Sequence, residues 1–392
     1  MPLLSEKTGC FTDSVIRRMT RVANQYKAIN LSQGFPDFDP PDELKAALGE
    51  VAKGSVHQYA VTWGAQNFRQ ALAEKQTRFM GIPIDPDTQV AVTCGSTEAM
   101  MAAMMTVCNP GDKVIIFSPF YENYAADAIL SGAEPIYVPL KPPRFDFDAN
   151  ELEAAFTQRP KALILCNPSN PTGKVFSPDE LRLIAGLAEK YDTFVITDEV
   201  YEHIVYEPFR HTYFASLPGM FERTISCSSL SKTYSITGWR LGYLIAPEYI
   251  TERAKKVHDF LTVGAASPLQ EAAVTALRFE GGYYKKLQQI YRGKRKLFLE
   301  GLERLNLSFT VPQGAYYVMV DISDFGCTDD LRFCEWLARE VGVAAVPGST
   351  FFRENIHHLI RLHFAKQNKT LEAALNRLES IRHKLPQTVR GW

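Results

Sequence analysis

The sequence predicts an α/β protein: a large domain with a mostly parallel sheet between helices, joined to a smaller α+β domain. Three observations predict it. At 392 residues and 46% apolar content, the chain carries enough apolar side chains for a large core and is too long for one ordinary domain. From Gln89 onward, short β-rich runs alternate with helical segments, and wholly apolar runs such as Ala162-Leu163-Ile164-Leu165 suit strands covered on both faces. From about Glu280 that alternation stops, and a long charged helical stretch opens a different mixture of elements. The division predicted is residues 45–280 for the large domain, with residues 1–44 and 281–392 forming the small domain and its N-terminal arm.

Residues 1–29 read as a mobile or helical arm, and Ile29 to Phe38 as a short extended segment that breaks into a turn. Gly34, beside Phe35-Pro36, marks either backbone that another group approaches closely or a simple turn. Helical spacing follows from Asp42 to Ala52 behind Pro40-Pro41, and again from about Ala65 to Met80 after a loop that runs from Gln58 to Gly64. Seven strands are predicted at Gln89–Thr93, Lys113–Ser118, Glu134–Leu140, Lys161–Cys166, Thr193–Thr197, Thr224–Cys227 and Leu241–Ala246. The last part reads as a helix Tyr283–Leu305, a strand Gly314–Val320, a helix Asp329–Val341, a strand Leu359–Phe364 and an amphipathic helix Thr370–His383.

Composition narrows the function. Lys and Arg number 43 against 44 Asp and Glu, and no basic run or heptad is present to recruit nucleic acid or a membrane, so the expected partner is a small molecule. The start MPLLSEKTGC lacks a basic segment followed by an apolar one, and no apolar stretch reaches the ~20 residues of a bilayer span, which predicts a cytoplasmic protein. Seven cysteines lie scattered without a CxxC pair, and an odd number cannot all pair within one chain, so reduced thiols are expected. Cys94, Cys166 and Cys227 each close an apolar run, so they either line one rim of a sheet or are simply small buried side chains, the second being favoured. No metal site is expected.

Ligands of such sheets sit beyond the carboxyl ends of the strands, and the polar clusters fall there repeatedly. Thr93 leads into Cys94-Gly95-Ser96-Thr97, a glycine turn opening a helix whose free N–H groups can receive a phosphate. Cys166 leads into Asn167-Pro168-Ser169-Asn170-Pro171-Thr172-Gly173, and Thr197 into Asp198-Glu199-Val200-Tyr201. After Thr224–Cys227 comes Ser228-Ser229-Leu230-Ser231-Lys232, with Arg240 eight residues beyond the lysine. That combination suits a lysine that binds a carbonyl as a Schiff base while serines and an arginine hold a phosphate on the same molecule. The plainer alternative is a polar loop with an incidental lysine.

Taken together, QGFPDF, the glycine-helix turn, NPSNPTG, TDEVY, SLSK, GWRLG and RLHFA occur in an order that resembles the pyridoxal-phosphate (PLP) aminotransferases of fold type I, class I/II, from about Asn30 to Ala365. The resemblance implies that Lys232 holds PLP as a Schiff base and then moves the proton at the substrate Cα. It implies that Asp198 pairs with the pyridine nitrogen, that Tyr201 and Asn170 bond the ring's 3′-oxygen, and that Tyr121 stacks on the ring. The phosphate would rest on the turn Gly95, Ser96 and Thr97, on the hydroxyls of Ser229 and Ser231, and on Arg240. Arg361 would clamp the substrate α-carboxylate, with Gly34 and Asn170 beside it. A homodimer with shared sites is implied as well, Tyr59 reaching across to the partner's phosphate. Each residue also has a structural reading: Asp198 as a cap, Asn170 as a turn residue, Tyr121, Tyr201 and Tyr59 as local packing, and Arg361 as half of an internal salt bridge.

The substrate side chain is read from absences. Members acting on dicarboxylates place a second cation near segments that here read Leu261-Thr262-Val263-Gly264-Ala265-Ala266-Ser267-Pro268 and Gly95-Ser96-Thr97, neither of which carries one. With a QGFPDF segment similar to the methionine, aromatic and kynurenine-type members, this favours an L-amino acid with an apolar, sulfur-containing or aromatic side chain, its amino group passing to a 2-oxo acid. The arm, with Phe11, Thr12 and Val15, would approach that side chain. A PLP lyase or cyclase of specialised amino-acid metabolism would use the same machinery. A non-enzymatic regulator would place a DNA-binding domain ahead of the first motif, where about 30 residues stand here.

Overall fold

A computed structural model describes residues 2–11 and 13–385. A two-residue strand, β1 (Ile29–Asn30), precedes the strands of the large sheet: β2 (Val90–Thr93), β3 (Lys113–Ser118), β4 (Glu134–Pro139), β5 (Ala162–Cys166), β6 (Phe194–Asp198), β7 (Thr224–Ser229) and β8 (Gly242–Ile245). Five more follow: β9 (Ser308–Phe309), β10 (Tyr317–Asp321), β11 (Val343–Ala344), β12 (Val346–Pro347) and β13 (Leu359–His363). All seven strands expected in the large sheet are present, in the order β2-β8-β7-β6-β5-β3-β4. The sheet is parallel except for β8, which runs antiparallel to both β2 and β7.

The apolar runs are explained by the two faces. Along a strand, successive side chains point to opposite sides. Ile115, Phe117, Leu163, Leu165 and Val195 pack on one face with Leu152 and Phe156 of the helix Ala149–Thr157 and with Leu181 and Ile184 of Pro178–Lys190. Val114, Ile116, Ile164, Ile196 and Ile225 pack on the other with Met100 and Ala103 of the helix Ser96–Val107 and with Ile250 of Glu248–Thr262. Burying each such aliphatic side chain stabilises by about 1.5–3 kcal/mol, which favours apolar residues along β3 and β5 until the strands end; β7 departs from this with the buried Ser226 in its interior. The helix Pro178–Lys190 starts on a capping box, Ser177 and Glu180 each bonding the other's backbone amide, with Pro178 in the first turn.

The smaller sheet has the order β12-β13-β10-β9, antiparallel throughout. Its core takes in Met19 from the helix Val15–Gln25 and Leu31. β1 pairs in parallel with β11 through Ile29 and Val343. These contacts support assigning residues 1–44 and 281–392 to one domain and 45–280 to the other, the division we propose. Three predicted elements differ. The helix expected over Asp329–Val341 is α-helical only at Asp330–Trp336 and widens to a π-turn at Leu337–Val341, closed by Gly342 at φ 83°. The strand expected from Gly314 starts at Tyr317, because the Gly314 amide bonds the Gly173 carbonyl and Ala315 adopts φ 55°. The closing helix divides into Asn368–Leu378 and Ile381–Lys384.

Candidate active site

The carboxyl ends of β2, β5, β6 and β7 meet at one rim. Register lines them up: Cys166 stands opposite Asp198, which stands opposite Cys227, while Thr93 aligns through Gly242 with Ser229. Cys94, Cys166 and Cys227 therefore line one rim of the sheet, and all three are free thiols.

Asp198 is 6% exposed. Its Oδ2 accepts from the Tyr124 hydroxyl at 2.7 Å and its Oδ1 from the Val200 amide at 3.3 Å. Burial pushes its carboxyl above the usual range, against those two bonds and the nearby Lys232 charge. Lys232, half-buried beyond the end of β7, donates to the Gly34 carbonyl at 3.1 Å and lies over the rings of Tyr201 and Tyr316. Burial, with help from the Arg240 and Arg361 charges and against that of Asp198, brings its amine down to about 8. Gly34 also accepts from the Tyr316 hydroxyl at 2.9 Å.

Arg361 lies in β13 and is 1% exposed. It bonds only neutral acceptors: Asn170 Oδ1 at 2.5 Å and the Ser32 carbonyl at 2.9 Å, with Nε unpartnered. The rings of Tyr317 and Phe351 flank its guanidinium at 4.2 and 4.6 Å. Among the described residues no carboxylate pairs with it, so the internal salt bridge that the sequence left open is not what buries it. Ser32 and Gly34, two residues apart, thus bind Arg361 and Lys232 into one pocket.

At the other side, Arg240 holds left-handed backbone at φ 55° and donates to the Thr237 and Cys94 carbonyls at 3.1 and 3.4 Å. Gly95 has φ 87°, and a Cβ there would come within 2.2 Å of Arg240 Nη2. Ser96 and Thr97 open the helix Ser96–Val107 next to this turn. Ser229 is buried and accepts from the Ser231 amide at 3.4 Å, while the buried Ser231 hydroxyl has no partner. Tyr121 is half-buried, edge-on to Tyr124 at 5.8 Å. Tyr201 is buried, its hydroxyl 2.9 Å from that of Tyr317.

Tyr59 alone stands apart. It is 86% exposed although its neighbours are pinned, Ser267 Oγ accepting from the Ala60 amide at 2.8 Å and donating to the Gln58 carbonyl at 2.7 Å. The ring therefore has little contact with its own chain. Thr12 lies outside the described residues; Phe11 is 36% exposed and Val15 packs at the edge of the small domain's core. Sequence reading missed Tyr124, Tyr316 and Tyr317. Tyr124 follows Tyr121 by three residues across the start of a helix, a spacing that puts both on one side. Nothing in the strand pattern singles out Tyr316 or Tyr317.

Residues 26–378 match the family described as aminotransferase class I and II. The chain belongs to the class I and II aminotransferases. Methionine aminotransferase of Escherichia coli K12 is 39% identical over 369 residues, covering 94% of this chain and 96% of that protein. A structure of an E. coli protein with methionine aminotransferase function superposes with a TM-score of 0.93 at 38% identity, over 97% of this chain and 100% of that one. A probable N-succinyldiaminopimelate aminotransferase of Mycobacterium tuberculosis is 36% identical over 383 residues, 95% of this chain and 96% of that protein. Human kynurenine–oxoglutarate transaminase 1 is 35% identical over 390 residues, 90% of this chain and 92% of that protein. This chain is therefore an enzyme, a PLP-dependent aminotransferase that moves amino groups between amino acids and 2-oxo acids.

The residues at the rim fit the cofactor that the family implies. Asp198 is a buried acid with no cation paired to it among the described residues, Ser231 a buried hydroxyl without a partner, and Gly95 a turn held open beside a guanidinium. A ligand with a basic ring nitrogen and a phosphate answers all three, and a carbonyl on it would answer the Lys232 amine.

Proposed function

We propose that this aminotransferase takes the amino group from an L-amino acid with an apolar, sulfur-containing or aromatic side chain. One observation carries the site assignment: among the described residues no cation is paired with the buried acid Asp198 and no acid with the buried cation Arg361, so the missing partners would be ligands. PLP, when bound, supplies the electron sink that takes the bonding pair released at the substrate Cα. Lys232 would bind its carbonyl carbon, and an amine near 8 is neutral often enough to carry the proton to and from Cα. Asp198, held by Tyr124, would keep the ring nitrogen protonated. Tyr201 and Asn170 would bond the 3′-oxygen, and Tyr121 would pack on the ring face. Gly95, Ser96, Thr97, Ser229, Ser231 and Arg240 would receive the phosphate, Arg240 through its fork of donors. Arg361 would exchange neutral partners for the substrate α-carboxylate, with Gly34 and Asn170 beside it.

Support for the side-chain preference is the absence of a cation in the two segments where a distal acid would be met, Leu261–Pro268 and Gly95–Thr97. The 39% identity to the E. coli methionine aminotransferase is in line with it. Borohydride reduction should leave a pyridoxyl group on Lys232, and Lys232→Ala should lose the reducible band. With amino acid alone, absorbance should shift once and stop until an oxo acid is added; continued turnover without one would favour the lyase or cyclase reading.

A homodimer with shared sites is proposed on the exposure of Tyr59. With Val61, with Phe260 and Leu261 in the last turn of the helix Glu248–Thr262, and with Val263 just after it, Tyr59 adds to a set of exposed apolar side chains, Phe260 being 92% exposed. Lys232→Ala and Tyr59→Phe chains, each nearly inactive at limiting PLP, should regain activity after subunit exchange, since one hybrid site contains both intact residues. Verified exchange without recovery would refute the shared site. No helix among the described residues is long and apolar enough to cross a membrane. A cytoplasmic location is supported by the free thiols.

A further inference from the structure

We infer that Tyr317 is a positioning residue: its hydroxyl donates to Tyr201 and leaves the Tyr201 proton aimed at the cofactor's 3′-oxygen. The inference rests on the assignment of Tyr201 to that oxygen.

Tyr317 opens β10 in the smaller sheet, and Tyr201 lies in the segment after β6 of the large one, so their bond of 2.9 Å ties the two sheets together at the pocket. Both rings are 3% exposed. Neither hydroxyl has water to fall back on, and the direction of the proton between them decides what Tyr201 can offer a ligand. If Tyr201 donated to Tyr317, its oxygen would present only lone pairs to an anionic ring oxygen. If Tyr317 donates, Tyr201 keeps its own O–H for the ligand.

Geometry favours the second arrangement. The Arg361 guanidinium lies 4.2 Å from the centre of the Tyr317 ring, and a cation there draws charge from that phenol and makes it the stronger donor of the two. The same arginine opposes the upward push of burial on the Tyr317 hydroxyl, whereas the cation over the Tyr201 ring, Lys232, lies farther off at 6.0 Å and burial pushes the Tyr201 hydroxyl well up. Gly34 holds the hydroxyl in place: a Cβ at Gly34 would come within 2.1 Å of Tyr317 Oη, so the bare backbone forms one wall of its position. The chain segment that receives Lys232 therefore also sets where Tyr317 points. Phenylalanine would keep the ring, its packing on Arg361 and the Gly34 contact, and would remove only the donor.

The test titrates apoenzyme with PLP and with 3-deoxypyridoxal phosphate, which lacks the ring oxygen, following cofactor absorbance. Tyr317→Phe should weaken PLP binding by about 3- to 10-fold, the worth of one neutral hydrogen bond, and leave affinity for the deoxy analogue within about twofold. Tyr201→Phe is the companion variant and should show the same selective loss. Should Tyr201→Phe lose affinity for PLP alone while Tyr317→Phe weakens both cofactors equally or neither, Tyr317 acts through packing and the inference fails by itself. Should Tyr201→Phe not distinguish the two cofactors, the assignment of Tyr201 is wrong and the inference falls with it. A second readout is the pH at which the bound cofactor's visible band changes. Without the Tyr317 donor to polarise it, the Tyr201 O–H donates more weakly to the 3′-oxygen and stabilises less the form in which the Lys232 nitrogen is unprotonated, so that pH should rise in Tyr317→Phe. An unmoved or lowered transition would overturn the inference.

Discussion

Lys75 and Arg361 are both buried cations, 2% and 1% exposed, and they are solved in opposite ways. Lys75 meets Glu202 at 3.0 Å, and that carboxylate also accepts from Gln76 at 3.2 Å and Tyr213 at 2.6 Å. His203 beside it is pushed down to about 4, by burial and by the Lys75 charge, and stays neutral. Every charge in that cluster is answered from within the chain. Among the described residues Arg361 has neutral acceptors only, and across the pocket no cation pairs with Asp198. The difference teaches that burial of a charge does not mark a functional site here. Nor does a missing carboxylate by itself, since the buried Lys294 and Lys366 also donate to backbone carbonyls, of Lys366 and Phe35. What sets Arg361 apart is that an unpaired acid, Asp198, shares its pocket, and under the proposed function a ligand would supply both missing charges.

Breaking the closed pair should have the largest effect and should fall on stability. Lys75→Met leaves Glu202 buried without its cation, which costs about 3–5 kcal/mol, and chemical denaturation should show that loss. The folded fraction should keep its kcat/KM. Replacing Glu202 by Gln in the same chain should restore much of the stability, because no unpaired charge then remains. A Lys75→Met enzyme as stable as the parent but catalytically impaired would erase the contrast.

Next comes the open cation, whose loss should fall on catalysis. Arg361→Ala removes a bidentate charge-assisted contact, so kcat/KM should fall by about 30- to 1000-fold, roughly 2–4 kcal/mol, while the melting temperature and cofactor loading change little. Collapse of the fold in Arg361→Ala would move this residue to the structural side of the comparison. A smaller effect concerns the side-chain end of the substrate. Aspartate would bury a second carboxylate without a cation to meet it and should be a poorer donor than methionine or phenylalanine by kcat/KM. Aspartate outrunning every apolar donor would show that a cation reaches the site from elsewhere.

How much of this was legible in the sequence follows from the same distinction. Strands such as β3 and β5 were readable because burial on both faces forces apolar runs, and Gly95, Asn170, Asp198 and Lys232 because they sit just where such runs stop. Elements of the small domain were blurred where tertiary bonds override local pattern, as at Gly314 and Ala315, captured by Gly173 and Ile204. Lys232 could be singled out by its serine neighbours, and Arg361 by its apolar ones. Tyr124 and Tyr317 could not, since a tyrosine in a helix or strand reads as core until its hydroxyl is seen to meet Asp198 or Tyr201. Glu202 follows the recognised TDEVY run by one residue, yet its partner Lys75 lies 127 positions away and no spacing rule connects them.

A third buried cation sharpens the comparison with the smallest effect. His258, fully buried, places Nδ1 2.6 Å from Glu98 Oε1 and Nε2 2.8 Å from the Thr62 carbonyl. Both partners are acceptors, so the ring satisfies both only as the imidazolium. Burial alone would lower its pKa, but the bond and charge of Glu98 outweigh that and the net direction is upward. Glu98 is shifted downward overall, its own burial being outweighed by His258, the Cys94 amide and Thr262. The signs then give the window. A histidine raised in the folded state adds stability that is whole below the unfolded value near 6.5 and is lost as pH rises through its folded value. A lowered carboxylate adds stability that is present above its unfolded value and is lost as pH falls through its folded one. The pair therefore stabilises most between these limits. His258→Gln should cost roughly 1.5–3 kcal/mol near pH 6, the worth of a charge-assisted bond, and the gap to the parent should narrow as pH rises above neutrality. Measuring the difference between the two proteins by urea denaturation from pH 6 to 9 cancels the titration of Lys232, which is common to both. A gap that stays constant across that range would mean that His258 is neutral in the fold, and that the closed pair of Lys75 and Glu202 has no smaller counterpart beside the Gly95 turn.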